Sequence, residues 1–388
     1  MMLPHLRTGD PALSPSPSSE NGAGPAEAPP RTPVLVVGVG HLGKEHARVY
    51  RDIQEAELVA VVDQDLKRAQ EIGAKHGIPA YAQLTPELLR SVRAASVVTP
   101  TKSHFEVART LMDAGVSVLV EKPMASTVDD ARELCRIAEA NRVTLQVGHI
   151  ERFNPVVLAA SPHIRNPVFI ECDRIHPFSF RSVDVSVVLD LMIHDIDLVL
   201  NLVNSPVLHL DAVGARVLSQ TEDLANARIT FENGCVAMVK SSRVAIQKSR
   251  KMRIFCEDSY ISLDFIAKTG MRISLKEGLT LKTINLREMA QREEQQGAFP
   301  LFTQFFRIEQ LAITADDALK SELRAFLDAA RTGREPVVTG LQGLQAIEIA
   351  TRITDDIARS QRAFVERRNR FQNLSGLALE SAPDELAP

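Results

Sequence analysis

The sequence has few of the residues that mark secreted, disulfide-bonded or membrane proteins. It holds four cysteines and no tryptophan in 388 residues, and no stretch approaches the ~20 apolar residues of a membrane-spanning helix. Cys135, Cys172, Cys235 and Cys256 lack metal-binding spacing, so we expect reduced, packed thiols and no disulfide framework. A net charge of −4 argues against nucleic acid or a membrane surface as a partner. These absences predict a cytoplasmic globular protein.

The pattern of apolar residues divides the chain into four parts. Residues 1–32 are rich in Pro, Ser, Gly and Ala, so we expect a disordered extension. Residues 33–152 alternate apolar strands with amphipathic helices, which predicts an α/β, doubly wound parallel sheet of the Rossmann type. Residues 153–362 contain alternating strands and the turn signals Asn233-Gly234 and Glu277-Gly278, which predict a mostly antiparallel open sheet with covering helices. Residues 363–388 are expected to form a C-terminal tail.

A glycine motif in the first part points to a dinucleotide. Gly38, Gly40 and Gly43 form GxGxxG between a predicted strand and a predicted helix. Such glycines permit a tight turn, backbone approach to a pyrophosphate, and close helix–strand packing, respectively. Asp63 ends the next strand, where its carboxylate can accept from a ribose hydroxyl or cap the following helix. An acidic group there favours NAD over NADP, although two basic residues follow closely.

A polar stripe marks the segment LDLMIHDIDLVL at 189–200. On a helix, Asp190, His194 and Asp197 fall on one narrow face, while Asp195 points elsewhere. Asp190 and His194 lack a third ligand at metal spacing, so no metal site is predicted. We expect Asp197 to pair with a neighbour and Asp195 to be structural or to bind a hydroxyl.

Several spaced motifs together resemble the glucose–fructose oxidoreductase/inositol dehydrogenase/rhizopine catabolism (Gfo/Idh/MocA) family. The resemblance covers roughly residues 33 to 362. The motifs are GVGHLGKEH at 38–46, VVTPTKSH at 97–104, VEKPMA at 120–125, VGHIERFNP at 147–155 and DLMIHDID at 190–197.

The resemblance implies an NAD-dependent sugar dehydrogenase with Lys122, Asp190 and His194 as the catalytic group. A peptide bond of unusual geometry can precede Pro123. The remaining cofactor contacts that the resemblance and the glycine loop imply are His41, Leu42, Thr99, Pro100, Thr101, His104 and Glu121, with Lys122 beside the nicotinamide.

These residue types suit the oxidation of a secondary alcohol, which must lose a hydroxyl proton as hydride leaves the same carbon. A neutral imidazole is a suitable base near pH 7, and a lysine ammonium can stabilise developing alkoxide charge. Either Lys122 or His194 can take the proton directly, and the sequence leaves both possibilities open. A catalytically idle NAD(H)-binding sensor on the same scaffold is a further alternative, which the joint presence of Lys122, Asp190 and His194 disfavours.

Basic residues after the first part indicate an anionic substrate such as a nucleotide sugar. The chain most resembles the branch of the family that oxidises the 3-hydroxyl of UDP-N-acetylglucosamine, giving a ketone that an aminotransferase converts to an amine for lipid A. A free cyclic polyol such as inositol is the alternative substrate. Because a one-sided antiparallel sheet needs cover, we also expect a homodimer or homotetramer. The predicted substrate-binding residues are Arg152, Asn154, Arg174, Asp190, His194 and Arg250, with His176, Arg181, Arg243, Lys248 and Lys251 as further nearby cations.

Overall fold

The computed structural model describes residues 31–179, 185–279, 289, 292 and 298–375. Two β-sheets with covering helices organise this part of the chain. None of the helices described there is long and apolar enough to cross a membrane. Residues 1–30 of the predicted N-terminal extension lie outside the described residues. The predicted cation Arg181 also lies outside them.

The first sheet has six parallel strands in the order β3-β2-β1-β4-β5-β6, which confirms the predicted doubly wound architecture. Its central strands are rich in Val, Leu and Ala and are buried on both faces, as crossover helices on both sides require. The strands are β1 (Thr32–Val37), β2 (Ala56–Val62), β3 (Ala80–Tyr81), β4 (Ala94–Val97), β5 (Ser117–Glu121) and β6 (Leu145–Gly148). The helices are α1 (Gly43–Arg51), α2 (Leu66–His76), α3 (Pro86–Ser91), α4 (His104–Asp113) and α5 (Val128–Asn141).

The second sheet has eight strands in the order β14-β13-β12-β11-β7-β10-β9-β8. All neighbours are antiparallel except β7 and β10, so the predicted mostly antiparallel sheet is confirmed. The strand expected after the Glu277-Gly278 turn falls outside the described residues, and β13 pairs with the unpredicted β14. The strands are β7 (Pro167–Ile175), β8 (Val207–Ala215), β9 (Leu224–Phe231), β10 (Val236–Ser242), β11 (Ser249–Cys256), β12 (Ser259–Asp264), β13 (Thr269–Leu275) and β14 (Phe306–Gln310).

Helices cover one face of this second sheet and join it to the first. A π-helical turn, Val188–Met192, leads into α7. The last helix continues past the predicted end near 360 to Ser375, into the stretch expected to be the tail. The helices are α6 (Pro155–Ala160), α7 (Ile193–Val203), α8 (Ala298–Phe305), α9 (Ala318–Thr332) and α10 (Gly340–Ser375).

One apolar core extends from the first sheet into the second. Val120 of β5, Ile170 of β7 and Ile196 of α7 all belong to it and are fully buried. Burying such a side chain contributes roughly 1.5–3 kcal/mol. Because α7 packs within this shared core, its polar residues are held at a defined position beside the carboxyl end of β5.

Candidate active site

A cleft of about 780 Å³ opens at the carboxyl ends of β1, β2, β4 and β5. Ligands of open α/β sheets bind at this edge. All of the predicted cofactor residues except Gly43 line the cleft. They are Gly38, Gly40, His41, Leu42, Asp63, Thr99, Pro100, Thr101, His104, Glu121 and Lys122.

The three glycines of the loop have different structural roles. Gly38 has φ +86°, and a Cβ there would lie 2.7 Å from the Val98 backbone. A Cβ on Gly43 would lie within van der Waals overlap of the Gly38 carbonyl, so the turn and the start of α1 touch there. A Cβ on Gly40 would meet no atom within 4 Å, because this glycine faces the open cleft. This arrangement fits a dinucleotide: Gly40 leaves room for a pyrophosphate beside the backbone, and Gly38 and Gly43 shape the loop.

Asp63 fixes this loop from the end of β2. One carboxylate oxygen accepts from the Val39 amide at 2.9 Å and the other accepts from the Asp65 amide at 2.9 Å. The Arg68 guanidinium is 3.5 Å away and half-exposed. Asp63 therefore lies on the cleft wall beside a flexible cation, and the helix cap that it could have supplied comes from Asp65 instead.

His104 bridges the two segments that line the other side of the cleft. Its Nε2 lies 2.7 Å from the Thr99 carbonyl oxygen and its Nδ1 lies 2.9 Å from that of Pro123. The peptide bond between Lys122 and Pro123 is cis. The histidine thus holds the Thr99 turn against the Glu-Lys-Pro turn.

Glu121 is anchored by a histidine that sequence reasoning missed. His46 Nε2 lies 3.1 Å from Glu121 Oε1, and the Lys122 amide donates to Glu121 Oε2 at 3.2 Å. Burial opposes the charge of Glu121, but the contacts with His46 and Lys122 outweigh it and lower the pKa. His46 is in the quoted GVGHLGKEH motif on α1, one turn after Gly43, and that position could have identified it.

The side chain of Lys122 reaches across to the π-helical turn. Its Nζ donates to the main-chain carbonyl of Asp190 at 2.9 Å and lies 3.8 Å from Oδ1 of the Asp190 carboxylate. Burial lowers the pKa of Lys122 and Arg174 adds to the effect, whereas Asp190 and Glu121 oppose it. A π-helical turn disrupts the regular helix ladder, a feature frequent at functional sites. The main-chain carbonyl of Asp190 therefore holds the lysine ammonium, and the side chain of Asp190 stays about one-third exposed.

His194 completes the predicted group in its neutral form. Its Nδ1 is buried and has no hydrogen-bond partner among the described residues. Burial, followed by the positive charges of Lys122, Arg174 and Arg250, holds the pKa of His194 well below its ordinary value. The π-helical turn thus brings Asp190 into contact with Lys122, which lines the cleft, and the charge of Lys122 acts on His194 four residues further along.

Two arginines predicted to bind substrate instead anchor α7. Arg174 donates to both carboxylate oxygens of Asp195 at 2.8 Å. Arg152 donates to both oxygens of Asp197 at 2.7 and 3.1 Å. All four side chains are buried. The two guanidinium groups are therefore occupied by carboxylates of the protein itself, whereas the sequence predicted that they bind substrate. Asp197 pairs with a neighbour, as predicted.

Asn154 is also used by the fold itself. Its amide nitrogen donates to Glu151 Oε2 at 2.8 Å, and its amide oxygen accepts from the Val156 amide at 3.0 Å. Asn154 therefore caps α6, which begins at the next residue. The bond from its amide nitrogen ties it to Glu151, which neighbours the arginines of the site.

Arg250 is the predicted cation that borders the site and is partly open to solvent. Its guanidinium donates to Glu151 Oε1 at 2.9 Å and its side chain is one-third exposed. Arg174 contacts the same oxygen at 3.1 Å. The other predicted cations are placed differently: Arg243 is buried against Asp223, and Lys251 lies near Asp264 with an exposed side chain.

The chain belongs to the GFO/IDH/MocA family of NAD-dependent oxidoreductases. Residues 32–149 match the oxidoreductase family's NAD-binding Rossmann fold, and residues 174–262 match the GFO/IDH/MocA C-terminal domain. The expected family and cofactor are confirmed, and the chain is a dehydrogenase of CH–OH groups.

Among its relatives is UDP-N-acetylglucosamine 3-dehydrogenase from Acidithiobacillus ferrooxidans. That enzyme is 34% identical over 319 residues, covering 82% of this chain and 95% of the relative. Its solved structure matches with a TM-score of 0.74 at 33% identity, covering 84% of this chain and 97% of that one. The scyllo-inositol 2-dehydrogenase (NAD(+)) of Bacillus subtilis is 23% identical over 339 residues, covering 82% of this chain and 92% of the relative.

Proposed function

We propose that this protein uses NAD to oxidise the 3-hydroxyl of UDP-N-acetylglucosamine to a ketone. The observation that carries the proposal is the convergence of Lys122, Asp190 and His194 in a chain 34% identical to a UDP-N-acetylglucosamine 3-dehydrogenase. The 3-keto product is a substrate for a sugar aminotransferase, which places the reaction before amination in lipid A type biosynthesis.

NAD supplies the hydride acceptor when it is bound in the cleft. Two candidate proton acceptors lie near the expected sugar position, and their charges distinguish them. Protonating His194 would create a buried positive charge beside Arg174 and Arg250, whereas protonating the neutral amine of Lys122 creates one beside the carboxylates of Asp190 and Glu121. We therefore assign acceptance of the hydroxyl proton to the Lys122 Nζ in its amine form, which its lowered pKa makes accessible.

The other two residues of the group orient the sugar hydroxyl. His194 remains neutral and can hydrogen-bond the hydroxyl without competing for the proton. Asp190 presents a partly exposed carboxylate, since its main-chain carbonyl already holds Lys122. Arg250, held from behind by Glu151, is the cation we assign to the diphosphate.

The test is oxidation of a panel of UDP-sugars and free polyols with NAD, followed by the absorbance of reduced nicotinamide. A carbonyl trap is included so that an unfavourable equilibrium does not conceal turnover. We expect turnover of UDP-N-acetylglucosamine and none of inositol. Preferential turnover of a free polyol would instead support the inositol-type activity.

Two variants separate chemistry from substrate binding. Lys122→Met should reduce kcat by about 10²–10⁴-fold, the usual contribution of a positioned acid–base group, and should leave a folded protein. Arg250→Gln should raise KM for the UDP-sugar by about tenfold or more with a smaller effect on kcat. Lys251→Gln, on the outer side of the same strand, is the matched control and should change neither parameter. Full activity of Lys122→Met would overturn the assignment.

We further propose that the protein forms a homodimer or homotetramer through the open face of the second sheet. Phe169, Phe255 and Tyr260 form a ring cluster on neighbouring strands of this face, and Met238 is exposed nearby. Charged pairs such as Arg253 with Glu171 surround them. Light scattering should give a multiple of the 42.7 kDa chain mass, and Phe255→Asp should lower it to the monomer. A monomeric wild-type protein would contradict this proposal.

A further inference from the structure

A third acidic side chain lies behind the cofactor site without a counter-charge. Glu322 of α9 has no exposed surface, and neither of its carboxyl oxygens has a hydrogen-bond partner among the described residues. Its acidic neighbours do have side-chain partners: Asp197 pairs with Arg152, and Glu121 hydrogen-bonds to His46. An unpaired buried carboxylate is among the most costly groups in a protein, so a buried acid without a cation takes up a proton.

A side chain able to accept a hydrogen bond from the protonated carboxyl lies on the neighbouring strand β6. The amide nitrogen of Gln146 donates to the main-chain carbonyl of Glu322 at 3.2 Å. The amide oxygen of the same Gln146 side chain is buried and has no partner in the described part of the chain. A neutral carboxyl group supplies one donor, and Gln146 supplies the matching acceptor, reached directly or through one water.

This pair is packed immediately behind the cofactor contacts. Gln146 is on β6, two residues before Gly148, where an added Cβ would lie 3.0–3.1 Å from atoms of Glu121. Glu121 in turn precedes Lys122 and lines the cleft. A displacement of the end of β6 would therefore move Glu121.

We propose that Glu322 is a positioning residue of the cofactor site that works as an uncharged carboxylic acid. Because the carboxyl group of Glu322 keeps its proton, it can lie behind the carboxylates of Glu121 and Asp197 without repulsion. It can also donate a hydrogen bond to Gln146 of β6. Loss of the proton would create repulsion with both carboxylates, disturbing the wall of the cleft and the anchor of α7.

The electrostatic surroundings of Glu322 support this role. Burial raises the pKa of Glu322 well above its ordinary value, and Glu121 and Asp197 raise it further. Helix α9 also packs against α1 and against the turn 150–153. The buried titratable or charged groups on the elements around it are His46 and Tyr50 of α1, His149 just before the turn, Glu151 and Arg152 of the turn, and Asp195 and Asp197 of α7. Glu121 of β5, with a side chain 12% exposed, lies among them.

Two variants of the full-length protein test the proposal. Glu322→Gln keeps a donor and an acceptor but cannot ionise, and Glu322→Leu removes both at similar volume. Infrared spectroscopy should show the carbonyl stretch of a protonated carboxylic acid at neutral pH in the wild type, and the Gln variant should lack it. NADH affinity, measured by fluorescence titration, should be within twofold of wild type for Gln and about tenfold weaker for Leu.

The pH profile separates this role from a merely structural one. Wild-type NADH affinity should weaken by about tenfold as the pH rises through the raised pKa of Glu322, and the Gln variant should not show this loss. Asp328→Asn removes an exposed carboxyl from the same helix and should behave as wild type in every measurement. An absent carboxylic acid band, a Gln variant as weak as the Leu variant, or identical alkaline profiles for wild type and Gln would each overturn the proposal. The measurements use NADH alone, so the outcome does not depend on the sugar.

Discussion

Breaking the ion pair between Arg152 and Asp197 should destabilise the protein more than any surface change. The two side chains are only 6% and 2% exposed and share two hydrogen bonds of 2.7 and 3.1 Å. Arg152→Met removes the cation and leaves the Asp197 carboxylate buried without compensation. Removing one partner of such a pair typically costs about 3–5 kcal/mol, whereas replacing both by apolar residues is often neutral. The double variant Arg152→Met/Asp197→Leu should therefore recover most of the lost stability.

Equilibrium unfolding in urea, followed by circular dichroism, measures these differences. Arg331→Met breaks an exposed pair with Asp328 and serves as the control, with an expected cost below about 1 kcal/mol. The reasoning would be refuted if Arg152→Met cost no more than this control, or if the double variant were as unstable as the single one. The double variant also tests the predicted substrate contact: a normal KM for the UDP-sugar would leave Arg152 with an anchoring role only.

Three further predictions follow from the loop and from the buried acid. Gly40→Ala should fold normally but bind NADH at least tenfold more weakly, because its Cβ would enter the open cleft. Gly43→Ala should instead lower the melting temperature, since its Cβ would collide with the Gly38 carbonyl. Because the pKa of Glu322 is raised in the folded state, its contribution to stability is fully present below the unfolded-state pKa and is lost as pH rises towards the folded-state value. The stability advantage of Glu322→Gln over wild type should therefore grow by about 1.4 kcal/mol per pH unit in that window, and equal pH dependence of urea unfolding would contradict this.

The parts of the fold that could be predicted are those in which the order of apolar and polar residues along a short segment determines the secondary structure. Apolar runs separated by amphipathic helices identified the parallel sheet, and alternation identified the antiparallel one. The glycine loop could be assigned because each of its glycines lies where a side chain would collide with the backbone or fill the space for the pyrophosphate. The nine-residue strand β8 (Val207–Ala215) was missed because several of its apolar residues, including Leu208 and Val213, are exposed, so its alternation does not separate polar from apolar residues.

The parts of the site that could not be predicted depend on contacts between distant residues. Arg152 and Arg174 were expected at the substrate because a sequence does not show which carboxylate faces a given arginine. Glu322 carried a weak signal, an acidic residue among the apolar positions of an amphipathic helix, but such a residue usually faces solvent. The bond from Lys122 to the Asp190 main chain depends on a π-helical turn, for which the sequence pattern gave no sign.

The hydrogen bond from Lys122 to the main-chain carbonyl of residue 190 separates the anchoring of the lysine from the contact that the side chain at 190 makes with the sugar. Because every amino acid carries a main-chain carbonyl, the lysine would keep its anchor whichever residue occupied position 190. Position 190 can therefore change to suit another sugar without removing that anchor, although loss of its carboxylate would lower the pKa of Lys122 further. A library that varies this position and retains Lys122 is a direct route to dehydrogenases with new substrate preferences.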